Sequence, residues 1–490
     1  MSDVRVRFAP SPTGYFHLGS ARSLLFNWLF ARRHGGQFVL RIEDTDRSRF
    51  HPEAVPDMLE GMRWLGLDWD EGPEVGGPYG PYYQSERLPL YQEHAQLLVE
   101  GGHAYKCYCT QEEVDRRRQA QQLRGERPGY DRRCRNLTAA QRAEREAEGR
   151  VPVIRLKVPL SGETAFTDLI RGEIRMQNEQ LDDLVLLKSD GFPTYHLAVV
   201  VDDHLMRISH VMRADEWIPT TPQRMLIYQA LGWEPPLIAH LPVILSPTGQ
   251  GKLSKRKTVG PDGREYSVRV HEFRGAGYLP EAMFNFLALM GWSYDDKTEI
   301  LSRPQIIESF DLAHVSAAPA QLSYEKLDWM NGVYMRSLEA DDLAARVLPF
   351  LTAAGLDADA ETVRRIAPLI QERIVTLAEA VEWTDFFFSE RLEYEPELLV
   401  QKKMSVEEAR QVLEASREAL SALPAFDEIS IEEALRAASE ASGLKARQFF
   451  GTLRVATTGK AVAPPLFGSL AILGQDTVLA RIAQARQMLG

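Results

Sequence analysis

With 490 residues, 44% hydrophobic and 26% charged, the chain is too long for one ordinary hydrophobic core and too apolar for extended disorder, so about three to five packed units are expected. A net charge of −12 argues against loose, nonspecific DNA binding, because neutralising phosphates needs a basic surface and any nucleic-acid contact must then use local patches. The opening residues lack a basic segment followed by an apolar one, no stretch reaches the roughly 18 apolar residues of a membrane span, and three cysteines cannot close a full disulfide framework. A cytoplasmic protein without a membrane partner is the expectation.

Val4-Arg5-Val6-Arg7-Phe8-Ala9 alternates as a strand does, and Pro10, Pro12 and Gly14 then force a turn. Leu24, Leu25, Trp28 and Leu29 recur at helical spacing, with Arg32, Arg33 and His34 in the last turn and Gly35-Gly36 as the stop. Phe38-Val39-Leu40-Arg41-Ile42 reads as a second strand. Strand, helix and strand with short connections make a βαβ unit, which places ligands beyond the carboxyl ends of its parallel strands. The site is therefore expected around residues 7–19 and Glu43. A Gly/Pro-rich break at residues 72–81 opens a mixed segment, to about residue 191, that reads as an insertion. Strand-like runs at residues 195–201 and 208–212 are expected to complete the sheet, and Leu241-Pro242-Val243-Ile244-Leu245 leads into a basic loop. Beyond Pro280 the pattern is helical, with apolar periodicity at residues 282–289, 343–350, 407–420 and 432–438.

The first chemical signal is Pro10-Ser11-Pro12-Thr13-Gly14-Tyr15-Phe16-His17-Leu18-Gly19-Ser20, placed at the strand-to-helix turn. A helix beginning near Gly19 presents free N–H groups and its positive dipole end to a phosphate, Gly19 permits close approach, and His17 can donate to a phosphate oxygen. The turn is not G-x-G-x-x-G, which excludes a generic dinucleotide oxidoreductase. The second signal is Lys252-Leu253-Ser254-Lys255-Arg256-Lys257, with glycines on both sides. Ammonium groups on such a loop can close over a triphosphate and stabilise charge growing on departing pyrophosphate; a solvated basic loop is the other reading. An arginine-dense stretch (Arg116, Arg117, Arg118, Arg124, Arg127, Arg132, Arg133 and Arg135) could follow an RNA backbone or form a solvated helix face diluted by Glu126 and Asp131.

Together the two signals resemble the paired signatures of class I aminoacyl-tRNA synthetases. Arg41-Ile42-Glu43-Asp44-Thr45-Asp46-Arg47, Leu187-Lys188-Ser189-Asp190-Gly191-Phe192-Pro193-Thr194-Tyr195-His196, Val201-Asp202-Asp203-His204 and Arg213-Ala214-Asp215-Glu216-Trp217 narrow the resemblance to the bacterial glutamyl-tRNA synthetases, of class Ib, from Arg7 to about Val333. The fold it implies is multidomain α/β plus all-α. Residues 1–82 and 192–245 would form a Rossmann-type parallel-sheet catalytic domain, and residues 83–191 an inserted α/β acceptor-end-binding domain. Residues 246–335 would be a helical stem-contact domain with the lysine loop, and residues 336–392 and 393–490 two helical anticodon-binding domains.

The resemblance also implies ATP-dependent activation of L-glutamate and its transfer to tRNA-Glu, by a monomer, with Mg²⁺ on the phosphates. Arg7, Ala9, Ser11, Glu43, Tyr195 and Arg213 match the family's glutamate pocket. That suits the chemistry, since Arg7 and Arg213 can meet two carboxylates and Glu43 the ammonium. The alternative for Arg213 is a strand-end salt bridge. His17, Thr13, Lys252 and Lys255 take the catalytic roles, and Gly19, Glu216, Trp217, Ser254 and Arg256 join His17, Lys252 and Lys255 around ATP. A buried guanidinium gains little from a neutral amide, so Arg213 favours glutamate over the glutamine of the sister enzymes.

Cys107-x-Cys109 followed by Tyr130-x-x-x-Cys134 resembles a zinc site of some relatives. Asn136 stands where the commonest version has a histidine, and a phenol is a poor ligand beside thiolate, so three free thiols are favoured over bound Zn²⁺. Arg373, expected on a helix, matches an anticodon-reading arginine of tRNA-Glu-restricted members or is a surface charge.

Overall fold

β1 (Arg5–Phe8) and β2 (Gln37–Leu40) pair in parallel, with Arg5 opposite Gln37 and Phe8 opposite Leu40, in a computed structural model describing residues 4–249, 251–253, 258–259 and 265–490. Between them α1 (Leu18–Arg33) buries Leu24, Leu25, Trp28 and Leu29, while Arg32 and Arg33 face the negative end of the helix dipole. Gly36 lets the chain turn back under the sheet: a Cβ there would stand 2.4 Å from the Val4 carbonyl oxygen, closer than any side chain tolerates. The βαβ expectation is met.

The strand His210–Ala214 continues the layer beside β1, where the Ser209 N–H donates to the Arg5 carbonyl at 2.9 Å. It pairs in parallel with Leu237–Leu241, bringing Arg213 opposite His240. On the far side of β2, the Leu40 and Ile42 N–H groups donate to the Glu71 and Tyr82 carbonyls. An antiparallel hairpin, Glu163–Asp168 with Gly172–Gln177, comes from the inserted segment and joins the sheet where Asp168 lies opposite Ile238. The insertion also carries its own antiparallel sheet of Ala104–Cys107, Val153–Leu156 and Val185–Leu187.

One expected strand is a helix. Residues 195–201 lie in the helix Tyr195–Leu205, where Leu197, Ala198, Val199, Val200 and Val201 are all buried against Tyr91, Leu98, Leu186 and Ile227. A short apolar run without alternation does not declare its period, and here packing on every side outweighs the β-preference of three consecutive valines.

The chain divides into two compact units, Met1–Glu272 with Met283–Tyr324 and Phe273–Ala282 with Glu325–Gly490. The second is helical, as expected, and has two cores. One gathers Leu343, Val347, Val363, Ile366 and Ile370, and the other Val412, Leu413, Ile431, Phe449 and Ile482. Its helix Val406–Ser421 starts at a capping box, in which the Glu408 N–H donates to Ser405 Oγ and the Ser405 N–H to Glu408 Oε2. No single described helix is long and apolar enough to cross a membrane.

Candidate active site

At the amino end of α1 the Leu18 N–H donates to the Val268 carbonyl at 2.9 Å. His17 is the helix N-cap, with Nδ1 accepting the Ser20 N–H at 3.3 Å and Nε2 lying 3.1 Å from Ser20 Oγ. No acidic residue occupies the first turn, so the positive dipole end carries no counter-charge there. A Cβ on Gly19 would press on the His17 ring at 3.2 Å, so glycine leaves the approach open. The turn before the helix is tied down by Asp57, which accepts the Phe16 N–H at 2.6 Å.

Buried charges line the adjoining strand ends. Arg41, fully buried, lies 2.8 Å from Asp203, 3.1 Å from Glu43 and 3.7 Å from Asp202. Arg7 Nε meets Asp203 at 3.1 Å, and Arg87 Nε meets Asp202 at 2.7 Å. Burial pushes the Asp203 carboxyl up, but Arg7 and then Arg41 hold it below its ordinary value. At Glu43 burial prevails over Arg41 and Arg7, and its carboxyl is raised to about 7. Arg41, Asp202 and Asp203 had no role assigned from sequence. The signal was present, because an Asp-Asp pair in an otherwise apolar helix must find buried cations.

Arg213 is different. Its Nε donates to His240 Nε2 at 3.2 Å and its Nη2 to Thr221 Oγ1 at 2.8 Å, and among the described residues no carboxylate lies within 4.0 Å. Burial pulls this guanidinium below its ordinary pKa. Among the described residues the strand-end salt bridge is therefore absent. Beside it the Tyr195 and Trp217 rings lie 4.3 Å apart, with the Arg224 guanidinium 5.6 Å from each ring.

Lys252 is ion-paired with Glu216, both side chains about half exposed. Ser254, Lys255, Arg256 and Lys257 lie outside the described residues. Every other residue assigned to ATP or glutamate lines one cleft of about 440 Å³: Arg7, Ala9, Ser11, Thr13, His17, Gly19, Glu43, Tyr195, Arg213, Glu216, Trp217 and Lys252.

Comparison with known proteins meets this geometry. The family of tRNA synthetases class I (E and Q), catalytic domain, matches residues 3–329, and an anticodon binding domain matches residues 342–486. A glutamate–tRNA ligase of Dehalococcoides mccartyi (strain CBDB1) is 53% identical over 489 residues, which cover 99% of this chain and 97% of the relative. The chain belongs to the bacterial glutamate–tRNA ligases. A Roseiflexus sp. (strain RS-1) glutamate–tRNA ligase is 49% identical over 99% of this chain and 97% of its own. The crystal structure of a glutamate–tRNA ligase from Elizabethkingia meningosepticum in complex with its amino acid superposes with a TM-score of 0.87 at 34% identity, each chain covered completely.

Away from the cleft, the chain gathers its three cysteines. The sulfurs of Cys107, Cys109 and Cys134 all lie within 4.8 Å of one another. Tyr130 Oη is 3.1 Å from Cys107 Sγ and 3.7 Å from Cys109 Sγ. Arg117 reaches Cys109 Sγ at 3.5 Å, and Arg155 stacks 3.9 Å from the Tyr130 ring. Hydrogen bonds from Cys109 and then Cys134 hold the Cys107 thiol far below its ordinary value.

The arginine-dense stretch is largely structural. Arg117, Arg118, Arg124, Arg132 and Arg135 pair with Asp131, Asp182, Glu126, Asp183 and Asp183. Arg116, Arg127 and Arg133 have no carboxylate within 4.0 Å among the described residues. Arg373 sits not on a helix but in the turn after Ala360–Ile370, exposed, with its guanidinium 5.5 Å from the Trp383 ring centre.

Proposed function

We propose that the cleft activates L-glutamate with ATP and passes it to the terminal ribose of tRNA-Glu, releasing AMP and pyrophosphate, with the residues in the following roles. The reading is carried by Arg213, a buried guanidinium without a carboxylate partner among the described residues, in the same cleft as a buried carboxylate and the open amino end of α1. Glutamate supplies the carboxylate that Arg213 lacks among the described residues, while Arg7 and Glu43, paired with Asp203 and Arg41, line the same cleft and take its other carboxylate and its ammonium. The relative crystallised with its amino acid supports a substrate pocket in this fold.

The substrate α-carboxylate oxygen attacks the α-phosphorus of ATP, the bond to the β-phosphate oxygen breaks, and pyrophosphate leaves. A ribose hydroxyl then attacks the carbonyl of the mixed anhydride, and AMP departs. Thr13, His17 and the Gly19 N–H hold phosphate oxygens, and the Tyr195–Trp217 wall flanks the cleft. Lys252 exchanges its half-exposed Glu216 partner for phosphate, a weak pair replaced by a stronger one, and so stabilises the leaving pyrophosphate with Lys255. Mg²⁺, when bound on the phosphates, would neutralise part of their charge.

Side-by-side aminoacylation tests this. ATP and glutamate should charge tRNA-Glu, whereas glutamine charged as efficiently would refute the role of Arg213.

The cysteine cluster fits one Zn²⁺ by the softness and closeness of its sulfurs, with Tyr130 as a fourth oxygen donor, and the ion would staple the insertion. The closeness favours the ion over the free thiols expected from the missing histidine and the poor phenol ligand. One equivalent of zinc in the purified protein is expected, and a metal-free, fully folded protein would leave three thiols. The insertion at residues 83–191 as acceptor-end binder, residues 246–335 as stem contact, Arg373 as an anticodon contact, a monomeric state and a cytoplasmic location complete the proposal.

A further inference from the structure

We propose that His240, held by Asp168, is a positioning residue that aims the Arg213 guanidinium into the amino-acid pocket and thereby sets the preference for a carboxylate over an amide substrate. The inference rests on the reading of Arg213 as glutamate-binding.

Arg213 poses a problem of orientation without neutralisation. A long side chain loses rotamer freedom when fixed, and a protein usually fixes a guanidinium by giving it a carboxylate. Such a partner would cancel the charge that a substrate carboxylate must find. Here the two fixing groups are neutral: His240 Nε2 takes Nε–H at 3.2 Å and Thr221 Oγ1 takes Nη2–H at 2.8 Å.

The imidazole works only in one form. Arg213 Nε always carries its proton, so His240 Nε2 must present a lone pair, and the single ring proton must sit on Nδ1. Nδ1 lies 2.6 Å from Asp168 Oδ2, which accepts that proton's hydrogen bond and selects the tautomer. Asp168 cannot turn away. Its Oδ2 also accepts the His240 N–H at 3.0 Å, and its Oδ1 accepts the Ile170 and Arg171 N–H groups at 2.9 and 3.0 Å. Burial, with the charges of Arg213 and Arg224, lowers the His240 pKa despite Asp168, which keeps the ring neutral. Thr221 Oγ1 donates a hydrogen bond to the Trp217 carbonyl at 2.9 Å, accepts from Arg224 Nη2 at 3.1 Å and lies 3.2 Å from His240 Nε2. The carboxylate that orders this chain stands one imidazole away from the guanidinium it orients.

Steady-state kinetics of the full chain with His240→Ala, His240→Gln, Asp168→Asn and Arg213→Ala test the proposal. For His240→Ala, KM for glutamate should rise about ten-fold or more, with KM for ATP within about two-fold and the preference for glutamate over glutamine reduced. His240→Gln, whose amide oxygen can take the Nε–H, should recover most of that loss. Asp168→Asn should raise KM for glutamate at least about three-fold by releasing the tautomer, and carries the test alone if His240→Ala does not fold. If Arg213→Ala raises KM for glutamate and the His240 and Asp168 variants leave it unchanged, the positioning role is wrong and the pocket right. An unchanged KM in Arg213→Ala itself would overturn both, and equal rises in KM for glutamate and ATP would reduce His240 to general packing.

Discussion

Glu43 is a carboxylate in a place that disfavours its charge. Burial raises it to about 7 despite Arg41 and Arg7, so in the ligand-free protein it loses ionisation as pH falls through neutrality. The substrate ammonium needs the ionised form. KM for glutamate should therefore rise about ten-fold between pH 8 and pH 6, while KM for ATP moves far less; a flat profile would remove Glu43 from ammonium binding. The same shift acts on stability. A folded value above the unfolded one means a contribution present at low pH and lost as pH rises through about 7, so at pH 8 the ionised group costs stability. Glu43→Gln should raise the thermal midpoint at pH 8 by about 2–4 °C while abolishing glutamate binding, because Arg41 keeps Asp203 as a partner. Differential scanning fluorimetry with and without glutamate reads both effects.

At the scale of elements, the amino end of α1 separates folding from chemistry. Helix propensity favours alanine over glycine by about 1 kcal/mol, so Gly19→Ala should leave stability unchanged or slightly higher. The added Cβ meets the His17 ring at 3.2 Å, so the ring must give by a few tenths of an ångström at the phosphate approach. Turnover should fall by about ten- to a hundred-fold, with the melting curve intact; undiminished turnover would show that phosphate does not approach along this helix end. This βαβ element was legible because strand alternation, two prolines and a helical leucine pattern agree over some forty residues. The helix Tyr195–Leu205 was not, since a buried element has no polar face to reveal its period. Nor was Arg373 correctly placed: a run of helix-forming residues does not say which of them closes the helix.

At the scale of the whole molecule, the anticodon-binding domain indicates tRNA binding. Arg373 belongs to the second unit, and Arg454 is held below its ordinary value by burial and then by the charge of Arg373. A base-edge contact is worth about 1–3 kcal/mol, so Arg373→Ala should lower kcat/KM for tRNA-Glu by roughly 5- to 100-fold and leave KM for ATP and glutamate unchanged. Aminoacylation across a tRNA concentration series measures this, and an unaltered kcat/KM would make Arg373 a surface charge. The net charge of −12, with most arginines of the dense stretch internally paired, leaves little nonspecific attraction to sustain binding once such a contact is lost.

By itself the sequence determined the βαβ start, the helical second half and the identity of the residues that meet in the cleft, because these are encoded in local periodicity and in long motifs. Only the tertiary structure decided what each charge is paired with. It left Arg213 without a carboxylate among the described residues, gave Arg7 and Arg41 to Asp203, set His240 and Asp168 behind Arg213, and drew three sulfurs together. Pairing between buried charges depends on distances of a few ångströms between residues tens to hundreds of positions apart, and no local pattern carries that information.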